Sequence, residues 1–151
     1  MNKTIFVTGG AKRIGKAIIE LFASDGWKVI IHYNNSKADA EALADSINSK
    51  KADMAFIVQG DLDKADEVNN IISKVDGFTE TVDLLINNAS TFYPTPIEKI
   101  SEDHWEKLIG SNLKGPLFLI QGLKEELKAS NGSIINITDT NLSKGVANYS
   151  I

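Results

Sequence analysis

Five short apolar runs alternate with longer amphipathic stretches, and this order limits the fold more than any other feature of the chain. The runs are apolar on both faces, as parallel strands are when helices cover both sides of a sheet. The stretches between them repeat apolar residues at helical spacing. We therefore predict an α/β fold with a doubly wound parallel sheet. Its strands are predicted at residues 3–8, 28–33, 54–59, 82–87 and 133–138.

Two segments of this pattern need separate comment. The longest amphipathic stretch, 105–127, predicts one helix with a kink at Pro116. Residues 90–100 carry Phe92, Tyr93 and two prolines, and no element is predicted there. This segment follows the carboxyl end of the fourth strand, where open parallel sheets bind ligands. It is interpreted either as a pocket wall or as a solvated loop with packed aromatic rings.

Composition narrows the class of protein. The length of 151 residues predicts a single domain. A net charge of −4 argues against a general binder of nucleic acid or of anionic membranes. The absence of cysteine excludes disulfides and thiolate chemistry, and the two histidines are too far apart to predict a metal site. No apolar run is long enough for an export signal or a membrane span, so we expect a cytoplasmic protein.

A glycine loop, Thr8-Gly9-Gly10-Ala11-Lys12-Arg13-Ile14-Gly15, joins the first strand to the first helix. Glycines let the backbone turn tightly and approach a pyrophosphate, and the helix N-terminus supplies N–H groups and partial positive charge. A strand before the loop and a helix after it are the context that a dinucleotide site requires. The loop therefore predicts dinucleotide binding.

The same segment also matches most of a triphosphate-binding loop. Gly10 to Lys16 reads G-x-x-x-x-G-K, but Ala17 stands where that motif places a hydroxyl for Mg²⁺. No apolar strand ends in the aspartate that such an enzyme needs. We therefore favour the dinucleotide interpretation.

The end of the second strand bears on the choice of cofactor. An NAD site places a carboxylate there, about 20 residues after the glycines, to bind the ribose hydroxyls. This chain instead has His32-Tyr33-Asn34-Asn35-Ser36-Lys37, whose amide, hydroxyl and ammonium groups suit a 2′-phosphate. NADPH is thus favoured over NADH, the alternative being a polar loop with a helix cap at Ser36.

Four motifs in order along the chain resemble those of the short-chain dehydrogenase/reductase family. They are the glycine loop, Asp61-Leu62, Asn87-Asn88-Ala89-Ser90 and Asn112. The resemblance implies a Rossmann-type sheet, NADPH as cofactor, and Asn112 as a catalytic residue. The cofactor contacts that it implies are Gly9, Lys12, Arg13, Ile14, Gly15, His32, Tyr33, Asn34, Asn35, Ser36, Asp61, Leu62, Asn88, Ala89, Ser90 and Thr138.

Within that family the chain is most similar to the pteridine reductases. The loop has the form A-K-R-I-G, residues 87–96 read N-N-A-S-T-F-Y-P-T-P, and Asp139 replaces the usual family serine. This resemblance implies reduction of a dihydropterin, with Asp139 passing a proton to a ring nitrogen, although alone Asp139 also suits a helix cap or a solvated loop. Phe92 would stack on the pterin. The implied substrate contacts are Arg13, Ser90, Phe92 and Tyr149.

The family's catalytic tyrosine and lysine are expected beyond the last residue given. The tyrosine follows the Asp139 position by 13 residues, which points to position 152, so Tyr149 is expected to line the pocket instead. We expect residues 1–151 to be one NADP-binding domain that lacks the C-terminal part of the family fold, and the longer protein to be a homotetramer. The alternatives are a nucleotide-binding fragment without turnover and a carbonyl or 3-oxoacyl reductase, which Asp139 disfavours.

Overall fold

A computed structural model of the chain describes residues 2–139 and 145–151. The strands are Thr4–Val7 (β1), Lys28–Tyr33 (β2), Ala55–Gln59 (β3), Leu84–Asn87 (β4) and Ser133–Asn136 (β5). The α-helices are Arg13–Ser24 (α1), Lys37–Asn48 (α2), Ala65–Phe78 (α3), Glu102–Ile109 (α4), Gly115–Gly122 (α5) and Lys124–Ala129 (α6). All five predicted strands are present, with ends shifted by at most two residues.

The strands form one parallel sheet in the order β3-β2-β1-β4-β5. From β1 the chain adds strands outward on one side and then crosses to the other side, where β4 pairs with β1. Val7 of β1 stands between Ile31 of β2 and Ile86 of β4. The carboxyl ends of β1 and β4 flank the point where the strand order reverses, which is where sheets of this kind bind ligands. The predicted Rossmann-type α/β fold is confirmed.

Apolar side chains on both faces of the sheet form two cores. Ile5 and Val7 of β1 lie in one core with residues of α1 and α2, whereas Phe6 between them lies in the other with residues of α3, α5 and α6. Successive side chains of a strand point to opposite faces, so a strand that is apolar throughout must be covered on both sides. The central strands are therefore buried and rigid, and they hold their carboxyl ends in place.

The predicted helix over 105–127 is wrong as a single element. It divides into α4, a π-helical turn at Gly110–Lys114, α5 and α6. The break precedes Pro116, which lies in the first turn of α5. The turn before α5 is π-helical, so the proline ring does not clash with a carbonyl of a preceding α-helical turn. The wide turn thus replaces the expected kink. Residues 90–100 also hold more structure than predicted, namely a 3₁₀ turn at Ile97–Lys99 and a β-bridge from Thr95 to Tyr149.

Some of the predicted apolar stripe lies on the surface. Leu108, Leu119 and Leu123 are buried, whereas Leu113 and Leu117 are largely exposed. Only one side of this wide stripe can face the sheet. β5 is likewise exposed at all four residues, so the expectation of cover on both faces is wrong for this edge strand. Among the described residues, no helix is long and apolar enough to cross a membrane.

Two leucines of α5 provide a matched test of this packing. Leu119 is fully buried and Leu117 is 58% exposed. We expect Leu119→Ala to lower the free energy of unfolding by about 2–5 kcal/mol and Leu117→Ala by less than about 1 kcal/mol, because only the first leaves a cavity. Urea unfolding followed by circular dichroism measures both. Equal losses would show that the Leu117 side of α5 is covered in solution.

Candidate functional site

The carboxyl ends of β1 and β4 are joined through Thr8. Its N–H donates to the Ile86 carbonyl at 3.0 Å. Its buried hydroxyl oxygen accepts hydrogen bonds from the N–H of Asn88 at 2.9 Å and of Ala89 at 3.0 Å. Because these groups are shielded from water, each bond satisfies a polar group that would otherwise be costly to bury. Thr8 thereby sets the distance between the glycine loop and the segment after β4.

Gly9 is held in a left-handed conformation, with φ of +61°. The Asn88 side-chain amide donates to the Thr8 carbonyl at 2.8 Å and to the Gly9 carbonyl at 3.2 Å. A side chain at Gly9 would place its Cβ 3.1 Å from Ala89 Cα. Both the backbone angle and the close neighbour therefore favour glycine at this position.

Gly15 lets α1 begin directly beneath the loop. A Cβ there would overlap the Gly9 carbonyl oxygen and lie 2.9 Å from Gly10 Cα. The residue preceding α1, Lys12, makes no side-chain capping bond, and the first turn carries no acidic residue. The first N–H groups of an α-helix have no partner within the helix, so this end fits an anion such as a pyrophosphate. Arg13 and Ile14 are exposed beside it.

His32, at the carboxyl end of β2, lies beneath the loop rather than at its surface. Its Nδ1 accepts from the Gly9 N–H at 3.1 Å, so the proton lies on Nε2, which donates to the Gly60 carbonyl at 2.9 Å. Burial lowers the pKa of His32 to about 4, although the Gly60 carbonyl and the Asp61 charge act in the opposite direction. The ring is therefore neutral near pH 7 and bound to the protein through both nitrogens. Tyr33 also has a buried side chain, within the core beside α1 and α2.

The residues that follow β2 are accessible. Asn34 and Asn35 are exposed, and Ser36 precedes α2 without making a side-chain capping bond. The Lys12 ammonium forms an ion pair of 3.0 Å with Asp39 in the first turn of α2. Polar groups from two loops thus stand together near the carboxyl end of β2.

Two aspartates follow β3 and share hydrogen bonds. Burial raises the pKa of Asp61, but hydrogen bonds from Asp63 and Asn34 and the charge of Lys64 outweigh it, so the pKa lies below its ordinary value. The pKa of Asp63 is raised by burial and by Asp61. Asp63 therefore retains a proton more readily, and Asp61 stays an ionised acceptor suited to an amino group. Leu62 is buried in the second core.

Asn112, in the π-helical turn, holds the loop after β4. Its side-chain carbonyl accepts from the Thr91 N–H at 2.9 Å, and its side-chain amide donates to the Thr91 carbonyl at 2.8 Å. Both polar atoms of the Asn112 side chain are thus bonded to the backbone of Thr91. Since Thr91 precedes Phe92, Asn112 fixes the position from which that aromatic side chain projects.

Phe92 stacks on Tyr149, with ring centroids 4.4 Å apart and an angle of 17° between the rings. The two rings are held together by the backbone, because the Thr95 N–H donates to the Asn148 carbonyl and the buried Thr95 hydroxyl oxygen accepts from the Ser150 N–H at 3.0 Å. Phe92 remains 57% exposed. This contact brings together two of the predicted substrate contacts.

The remaining predicted residues stand at the same edge of the sheet. Ser90 is exposed just after β4. Thr138 and Asp139 are exposed after β5, which is fastened to β4 by a bond of 2.8 Å between the side chains of Asn87 and Asn136. Within residues 2–139 and 145–151, no group of three or more His, Asp or Glu side chains gathers to hold a metal ion.

Several residues of this edge were not among the predicted site residues. In the sequence, Thr8 is only the first residue of the glycine motif, and no site role is predicted for Gly60, Thr91 or Thr95. Their roles arise from partners 21 to 81 positions away in the chain. The only available signal was position, since each lies within four residues of a strand end or of an aromatic contact.

A family model described as short chain dehydrogenase matches residues 3–151. The chain belongs to the short-chain dehydrogenase family. It is 35% identical to the 3-oxoacyl-(acyl-carrier-protein) reductase of Staphylococcus epidermidis over 91% of this chain and 57% of that protein. It is 30% identical to pteridine reductase 1 of Leishmania tarentolae over 96% of this chain and 63% of that protein. The chain thus spans about three fifths of the length of these curated relatives.

The pKa of His32 predicts a pH dependence of stability. The ordinary value is 6.5 and the value in the fold is about 4, so between these pH values the unfolded chain binds a proton that the folded chain does not. The free energy of unfolding therefore falls as pH falls, by up to about 1.4 kcal/mol per pH unit from this residue. Urea unfolding from pH 7.5 to pH 5 should show a steeper decline for the wild type than for His32→Gln. Equal declines in the free energy of unfolding of the two proteins would contradict the lowered pKa of His32.

Proposed function

We propose that this chain binds NADPH at the carboxyl edge of its sheet as part of an oxidoreductase. The observation that carries the proposal is the geometry of the glycine loop, where Gly9 and Gly15 bring an uncapped helix N-terminus against the strand ends. The pyrophosphate would lie at this N-terminus, beside Arg13 and Ile14. The ionised carboxylate of Asp61 is suited to accept a hydrogen bond from the adenine amino group.

A preference for NADPH is supported by the residues after β2. Asn34, Asn35 and Ser36 are polar and uncharged, so no carboxylate of this segment would repel a 2′-phosphate. Lys12 stands close to α2 through its bond to Asp39 and would supply positive charge. His32 and Tyr33 belong to this proposal only through their backbone and as support, because their side chains are buried.

The proposed substrate is a dihydropterin. Its flat ring would stack on the face of Phe92 opposite Tyr149, because Tyr149 covers the other face and Phe92 is still 57% exposed. NADPH supplies the hydride for a C=N bond when it is bound. Asn112 would hold the Phe92 loop, Arg13 and Ser90 would meet the polar edge of the ring, and Asp139 would pass a proton to a ring nitrogen.

Two other functions remain alternatives. The 35% identity to a 3-oxoacyl reductase favours reduction of a 3-oxoacyl thioester on the same fold. A nucleotide-binding fragment without turnover is the other alternative, and the geometry of the glycine loop supports it equally. For the longer protein we propose a homotetramer and a cytoplasmic location. The assembly is supported by the exposed apolar residues Trp105 of α4, Leu113 of the π-helical turn and Leu117 of α5.

Phe92→Leu tests the substrate. We expect the chain to bind NADPH and a dihydropterin, and the variant to bind the dihydropterin about tenfold more weakly because the aromatic stack is lost. NADPH affinity should stay within about twofold, since Phe92 lies outside the glycine loop. Cofactor fluorescence and titration calorimetry give both dissociation constants.

Ile97→Ala is the matched control, because Ile97 is an exposed apolar residue of the neighbouring 3₁₀ turn. It should change neither affinity. Binding of a 3-oxoacyl thioester with no dihydropterin binding would replace the proposed substrate by the first alternative. NADPH binding with neither substrate would favour the second.

Asp39→Asn tests the choice of cofactor. The exposed ion pair with Lys12 competes with a phosphate for the same ammonium, so its removal should tighten NADPH binding relative to NADH by up to about fivefold. Asp103→Asn breaks a comparable exposed pair with Lys107, at 2.9 Å on α4, and should leave both affinities unchanged. Equal changes in NADPH and NADH affinity with Asp39→Asn would rule out this role for Lys12.

A further inference from the structure

His32 contacts two loops that the proposed function assigns to different parts of the dinucleotide, the pyrophosphate and the adenine. Through Nδ1 it accepts from Gly9 in the glycine loop, and through Nε2 it donates to Gly60, the residue before Asp61. The two partners lie 51 positions apart in the chain and belong to different βα units. The imidazole lies between them, buried at 2% exposure.

We propose that His32 is a positioning residue that fastens the glycine loop and the Gly60–Leu62 loop to each other, through the Nε2–H form of its ring. This inference rests on the proposed function, because it assigns the pyrophosphate to the first loop and adenine to the second. It goes beyond that function in stating that one side chain bonds both binding loops and so helps to set the spacing between them.

The donor and acceptor pattern permits only one form of the ring. A backbone N–H on one side requires an acceptor, and a carbonyl on the other side requires a donor. The protonated ring would present a donor to the Gly9 N–H, and the Nδ1–H form would leave the Gly60 carbonyl without a proton. Both forms lose a bond in a buried site, which is unfavourable.

Backbone hydrogen bonds engage the Gly10 N–H and the Gly60 N–H, whereas the Gly9 N–H and the Gly60 carbonyl are bonded to the His32 ring. The Gly10 N–H donates to the His32 carbonyl at 2.9 Å, and the Gly60 N–H donates to the Tyr33 carbonyl at 3.1 Å. The end of β2 thus anchors each loop by one backbone bond. The His32 ring adds a second bond from β2 to each loop, beside the Asn88 bonds to the glycine loop and the Glu67 bond to Asp61.

Two substitutions separate the two bonds. His32→Asn keeps an acceptor near the position of Nδ1 but is too short to reach Gly60. His32→Gln places an amide donor near the position of Nε2 but has no acceptor at the position of Nδ1. The Gly9 N–H therefore loses its partner. Both are neutral and polar, so each variant serves as the matched control for the other.

The experiment measures the affinity for NADPH and for adenosine 2′-monophosphate, which contains adenine and no pyrophosphate. We expect His32→Gln to weaken NADPH by about tenfold, the effect of one buried hydrogen bond, and adenosine 2′-monophosphate by less than about threefold, since only Lys12 of the glycine loop would meet that ligand. His32→Asn should weaken both ligands. Equal behaviour of the two variants towards both ligands would overturn the proposal.

Nuclear magnetic resonance supplies a test without any nucleotide. The ring nitrogen shifts of the wild type should show a proton on Nε2 and none on Nδ1. Exchange of the Gly9 amide hydrogen should be at least about tenfold faster in His32→Gln than in the wild type or His32→Asn. A proton on Nδ1, or the same exchange rate in all three proteins, would overturn the inference. If the wild type binds no NADPH, the proposed function fails, and these two measurements still decide the role of His32.

Discussion

Two side chains fasten the carboxyl ends of β1 and β4 to each other: the Thr8 hydroxyl and the Asn88 amide. Between them they satisfy two backbone N–H groups and two backbone carbonyls at the point where the strand order reverses. In a parallel sheet the loops after these strands have no partner strand to order them, so their conformation depends on such side-chain bonds. The left-handed turn at Gly9 and the packing of Gly15, in the first turn of α1, against the Gly9 carbonyl depend on these bonds.

Hydrogen bonds and close contacts also connect the other loops at this edge of the sheet. His32 connects the glycine loop to the end of β3, and Asn112 connects the π-helical turn to the loop after β4. Gly115 lets the same turn lie against the Leu62 carbonyl, which a side chain would overlap. The carboxyl edge of the sheet is therefore a set of loops that brace one another, which suits the proposed dinucleotide site, where a long ligand would be held at several points.

The two sides of the molecule are not equally covered. Both faces of β1, β2 and β4 are buried in apolar cores, whereas β5 and one surface of α4 and α5 are exposed. An open edge strand and exposed leucines are unfavourable in isolation and are usually paired or covered.

Local patterns in the sequence predict the strands, their parallel direction and the glycine loop, because strong apolar periodicity and glycine punctuation are local properties. Through its resemblance to family motifs it also predicts Asp61, Asn112, Phe92 and Asp139 as site residues. Only the tertiary structure decided that His32 and Tyr33 turn their rings inward, that the long helix breaks at a π-helical turn, and that Phe92 stacks on Tyr149. Those features depend on partners far away in the chain, whose burial and hydrogen bonds exist only once the sheet has formed.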